Sequence, residues 1–114
     1  MDVKDIYSKI NGDYNKVLDI FKSDALIERF LKKFILSNEL NLLYSSIKDK
    51  NHDEAYRYAH TFKGMAMSLY LTDLINVSQE LVDLYKSKNI KDKKINSLYN
   101  ELESRFNKLK ALLN

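Results

Sequence analysis

Two histidines stand in this chain of 114 residues, and one of them, His60, has neighbours suited to chemistry. A neutral imidazole is a competent nucleophile near pH 7 and forms a labile, transferable adduct. Lys63 lies three residues on, within one helical turn if the segment is helical, where its ammonium would offset the charge of an anionic group, such as a phosphoryl, gained by the ring. Gly64 follows at i+4. A glycine in mid-helix costs about 1 kcal/mol relative to alanine, so it asks for a reason. Clearance beside the imidazole, where another molecule could approach the backbone, is one. The rest of a catalytic apparatus is missing: there is no Gly-rich phosphate loop, no carboxylate cluster for Mg²⁺ and no Ser/His/Asp arrangement. Cys is absent, which removes thiol chemistry and Cys-zinc sites. His52 lies two turns before His60, too far for the two imidazoles to share a zinc ion, so no metal site is expected. The chain is equipped to carry a group and not to activate its donor; it is not expected to be an enzyme or to hold a cofactor.

The elements that must position these residues are helical. Pro is absent and Gly occurs twice, against 45% hydrophobic and 31% charged residues, which leaves a β-sandwich or barrel without its turns. Val3, Ile6, Tyr7 and Ile10 make a short amphipathic segment that stops at Asn11-Gly12, and a second short helix carries Tyr14, Val17, Leu18 and Phe21. Ser23 is placed to cap a helix whose stripe runs through Leu26, Ile27, Phe30, Leu31, Phe34 and Ile35 and is expected to continue through Leu40, Leu43 and Ile47. Asn51 with Glu54 resembles a capping box for the helix that bears His60. Thr72 or Asp73 opens the next helix, Lys86 to Lys94 reads as a loop, and Ile95, Leu98, Leu102, Phe106, Leu109 and Leu112 mark a last helix. The expected fold is all-α, a single domain over 1–114: an antiparallel up-down four-helix bundle with one or two short N-terminal helices.

At about 100° per residue, Ala55, Tyr58, Phe62, Met65 and Leu69 form the expected core stripe of the second bundle helix, opposite His60. Asp53, Tyr56, Arg57, Lys63, Gly64 and Met67 fall within about 60° of His60. His60 is therefore expected at the surface, with Met67 and Tyr56 as apolar contacts for a partner and Arg57 on the same docking face.

The run Ala59-His60-Thr61-Phe62-Lys63-Gly64, with Leu69 beyond it, resembles the signature of histidine-containing phosphotransfer (HPt) domains, in which A-H-x-L-K-G precedes a Leu-Gly pair. Gly12-Asp13-Tyr14, the Phe30 to Phe34 segment, the acidic start of the signature helix and Gln79-Glu80-Leu81 extend the likeness over most of the chain. The resemblance implies a four-helix bundle whose histidine exchanges a phosphoryl group with the aspartate of a response-regulator receiver domain, or takes it from a hybrid histidine kinase. His60 would be the phosphoacceptor, Lys63 its electrostatic partner and Gly64 the clearance residue, and the receiver would bring the Mg²⁺. Tyr70 stands where the family has the Gly of the Leu-Gly pair, and Ser68 where Asn is frequent; loss of that glycine is expected to alter the exit turn of the helix and leave the acceptor chemistry untouched.

Charge and hydropathy narrow the alternatives. The net charge is +3. From Lys86 onward eight basic residues face three acidic ones, a balance of +5, so the first 85 residues carry −2. Nothing in this basic third has the aromatic interleaving or recognition-helix spacing of a nucleic-acid binder, which argues against that class. No apolar run approaches the roughly 18 residues of a membrane span, and no basic-then-apolar leader opens the chain, so a cytoplasmic monomer is expected. The competing reading is a helical interaction module that binds and regulates a histidine kinase or receiver without being phosphorylated, a reading that Tyr70 favours.

Overall fold

The computed structural model describes all 114 residues, in seven helices and no strands: α1 Val3–Lys9, α2 Tyr14–Phe21, α3 Asp24–Ile35, α4 Glu39–Lys48, α5 His52–Ser68, α6 Thr72–Lys86 and α7 Asp92–Leu113. The starts are written in side chains. Asp2, Asp13, Ser23 and Asn51 each accept a hydrogen bond from the backbone N–H three residues on, which satisfies a donor that the helix itself leaves unpaired.

Four arms make the bundle: α3 with α4, then α5, α6 and α7. Side-chain pairs give their directions. Lys63 meets Gln79 and His52 meets Tyr85 across α5 and α6, while across α6 and α7 Arg105 donates to the carbonyl of Asp73 and Asp92 lies near Tyr85. In both interfaces residue numbers rise on one helix as they fall on the other, so the arms are antiparallel. Tyr99 on α7 donates to the carbonyl of Leu40, and Phe106 packs on Phe34, which closes the ring of arms.

The first arm is two helices, where an uninterrupted stripe suggested one. A helix continued past Ile35 would place Asn38 about 20° from Leu31, on the buried side, and Leu40 opposite it. The break at Leu36, Ser37 and Asn38 resets the phase, so that Leu40, Leu43 and Ser46 turn inward while Leu36 stays 80% exposed. Ser and Asn suit such a break because their side chains compete for local backbone groups.

The centre of the core is a cluster of Phe34, Phe62 and Phe106, with ring centroids 5.3 to 5.8 Å apart, which ties α3, α5 and α7 together. On α5 the buried line is Ala55, Ala59, Phe62, Ala66 and Leu69; Tyr58 and Met65, expected at its centre, are only half-buried at its edge. Three residues of that line are alanines, whose small side chains let a neighbouring helix approach closely.

The N-terminal pair locks one end of the bundle. The Tyr7 hydroxyl, buried, donates to the carbonyl of Leu69 at 2.7 Å, the Asp13 N–H donates to the carbonyl of Tyr70 at 2.9 Å, and Asn11 donates to the Asp73 carboxylate at 2.8 Å. Burial raises the Tyr7 phenol well above the ordinary tyrosine range.

Candidate functional site

Phe62, fully buried, sets the rotation of α5 about its own axis, and His60, two residues earlier, is thereby turned out to solvent. Tyr56, one turn before it and half-buried, sets its ring 6.0 Å from the imidazole at an interplanar angle of 36°. A Cβ built on Gly64 would meet no other atom within 4 Å. The clearing beside His60 is thus open surface, and Gly64 is not needed for packing against a neighbouring helix.

Lys63 is half-buried and leans to the α6 side. Its Nζ donates to Gln79 Oε1 at 3.0 Å, and Gln79 Nε2 in turn donates to Asp83 Oδ1 at 2.8 Å. None of the ion pairs in the protein involves Lys63, so no carboxylate is in direct contact with its ammonium. Neither Gln79 nor Asp83 stood out as a site residue in the sequence, where Gln79 counted only as part of the helix after the signature. Pairing residue 63 with residue 79 requires the register of α5 against α6, which no local pattern carries.

On the opposite flank of His60 the α4 side opens as a shallow depression of about 370 Å³ lined by Glu39, Tyr56, Arg57, Tyr58, His60 and Thr61. The Arg57 guanidinium is exposed and lies 5.9 Å from the centre of the Tyr58 ring. Met67 is 50% exposed on the His60 side of α5. His60, Lys63, Gly64, Tyr56, Arg57 and Met67 therefore share one face, as their spacing predicts. Phe30, which the stripe placed in the core, is 39% exposed instead, and with Phe21, Phe34, Met65 and Leu69 it lines a second, apolar groove at the C-terminal end of α5.

His52 is also exposed, so exposure alone does not separate the two histidines. It sits in the first turn of α5, its ring 5.9 Å from that of Tyr85, about 12 Å along the helix axis from His60, and no lysine or glycine stands at i+3 or i+4 from it. No three His, Asp or Glu side chains converge anywhere to hold a metal ion.

Beyond the site, α5 ends in a left-handed turn without a glycine. Tyr70 takes a left-handed backbone, φ 54°, and Leu71 N–H closes the helix end on the carbonyl of Ala66 at 3.0 Å. Tyr70 itself adopts the left-handed turn that glycine favours: the strained residue is held by the Asp13 bond to its carbonyl and by packing of its half-buried ring on the core.

The chain is thus an all-helical bundle with a solvent-facing histidine midway along one arm, a lysine one turn on and an open glycine beside it. The Hpt domain family matches residues 25–113, and the chain belongs to that family. Histidine phosphotransfer in two-component signalling is the function this membership implies. The matched span begins in α3 and leaves α1 and α2 outside it. No curated protein and no solved structure was found to match the chain. No helix is long and apolar enough to cross a membrane.

Proposed function

We propose that the chain is a phosphorelay carrier whose phosphoacceptor is His60. The observation that carries this reading is the pairing of a solvent-facing imidazole with an open Gly64 and an uncompensated Lys63 on one helix face. In the forward step the lone pair of one imidazole nitrogen forms an N–P bond as the P–O bond of a receiver's aspartyl phosphate breaks. The aspartate leaves as carboxylate and the imidazole proton stays on the other ring nitrogen. The reverse step returns the group to a receiver aspartate. Lys63 offsets the phosphoryl charge, and Gly64 lets the partner's carboxylate reach the ring. The Mg²⁺ for transfer travels with the receiver, since the groups round His60 form no carboxylate cluster. On this reading the partners are a receiver domain, a hybrid histidine kinase or both, met in the cytoplasm by a monomeric single domain spanning 1–114, with Tyr56, Arg57 and Met67 on the docking face. Such association is weak, because each partner must leave after transfer.

His60→Gln tests the assignment. It should keep the helical circular-dichroism signal and lose all uptake of acid-labile, alkali-stable phosphate from a phosphorylated receiver. Label appearing on His52 would overturn it. A chain that binds the receiver tightly and never gains phosphate would be the regulatory module instead.

A further inference from the structure

The bond from Gln79 to Asp83 has a directional consequence. A glutamine side-chain amide can face a neighbour with its oxygen or with its NH₂, and only the oxygen can accept from an ammonium. Asp83, as a carboxylate, is an acceptor only, so it holds the NH₂ end of Gln79 at 2.8 Å and leaves Oε1 facing Lys63 at 3.0 Å. The Lys63 chain, one of the most costly to order, is thereby fixed through one of its three ammonium donors, with two left for a phosphoryl group. The neutral amide also keeps the carboxylate itself off the ammonium: Asp83 and Lys63 form no ion pair. The geometry points to Asp83, on the exposed side of α6, as a positioning residue of the phosphoacceptor site, acting on Lys63 through the Gln79 amide. This rests on the reading of Lys63 as the stabiliser of phosphorylated His60.

The sign of the effect separates this role from a simple field. A negative charge near a phosphoryl group repels it, so a carboxylate acting only through space would shorten the life of the adduct, and its removal would lengthen it. Acting through Gln79, its removal shortens that life, because the amide can turn and the ammonium is released.

The full chain is phosphorylated with phosphoramidate, and decay of phosphohistidine is followed by phosphorus NMR in four proteins: the parent, Asp83→Ala, Lys63→Met and the double variant. Asp83→Ala should shorten the adduct lifetime about threefold, the worth of one exposed hydrogen bond. In the Lys63→Met background the same change should do nothing. An unchanged or longer lifetime in Asp83→Ala, or equal shortening in both backgrounds, overturns the proposal. A second measurement does not depend on phosphate. In the unphosphorylated chain Asp83→Ala should shift the Gln79 side-chain amide resonances and lower the order of the Lys63 side chain, and unchanged Lys63 order overturns the proposal. If the parent gains no phosphate on His60, the carrier reading fails, while the NMR comparison still decides whether Asp83 positions Lys63.

Discussion

At the scale of single residues, the same glycine is asked opposite things by folding and by transfer. Gly64 has open space where a Cβ would stand, so alanine there meets no clash and gains helix propensity worth about 1 kcal/mol. Gly64→Ala should therefore raise the unfolding temperature. Gly64→Gln should also remain folded, yet its side chain occupies the approach to His60, where a misplacement of about 1 Å costs on the order of 100-fold in rate. A loss of at least about tenfold in phosphoryl transfer, with the thermal melt held at or above that of the parent, is the expected result. Gly12 is the contrasting case. A Cβ there would lie 2.6 Å from Cδ2 of Tyr7 and 3.2 Å from the carbonyl oxygen of Tyr70. Tyr7 is fully buried and hydrogen-bonded to Leu69, so it has nowhere to move. Gly12→Ala should cost about 1–3 kcal/mol, read as a lower midpoint in urea unfolding.

At the scale of elements, the helix starts differ in how well they are capped. The longest helix, α7, begins at Lys91, which has the extended backbone of an N-cap, φ −112° and ψ 116°, and makes no side-chain cap bond. A serine in that place could accept from the N–H groups of the first turn. Lys91→Ser should stabilise the bundle by about 1 kcal/mol, measured by chemical denaturation, and leave phosphoryl uptake unchanged. The loop that α7 follows is shorter than its lysines suggest: Lys93 and Lys94 belong to the first turn of the helix, and only residues 87–91 connect it to α6. The broken arm of α3 and α4 teaches a related lesson. Both stripes were legible, but not the change of phase between them, since Ser37 and Asn38 are tolerated within many helices and stop this one because Leu40 has a core to reach.

For the whole molecule, the buried tyrosines join distant parts of the chain and make the fold sensitive to alkali. Burial, with Asp92 nearby, pushes the Tyr85 hydroxyl up to about 12, and burial raises Tyr7 and Tyr99 further, Tyr99 also facing Glu103. Each is neutral in the folded state at a pH where the unfolded chain, titrating near the ordinary value of about 10, has already released its proton. The stability they contribute is therefore fully present below about pH 10 and is lost as pH rises through about 12. Urea midpoints should be level across the neutral range and fall from about pH 10 upward, with tyrosinate absorbance for these three groups appearing only as the helical signal is lost. Midpoints that stay level to pH 12 would mean that these hydroxyls ionise freely in the folded protein.

What the residues alone determined is whatever a single helix can express. The outward aim of His60, the turn-spaced Lys63 and Gly64, the caps at Ser23 and Asn51 and the helical class all follow from periods near 3.6 and from side-chain chemistry acting within a few residues. What only the tertiary structure decided depends on one helix meeting another. The packing of the other helices against α5 buries Ala59 and Ala66 more fully than Tyr58 and Met65, and α6 brings Gln79 and Asp83 to Lys63. The docking of α1 and α2 on the α5–α6 turn holds Tyr70 in a conformation that its own side chain disfavours. The physical reason is the same in each case: interhelical register is set by the fit of many side chains at once, so no local stretch of sequence contains it.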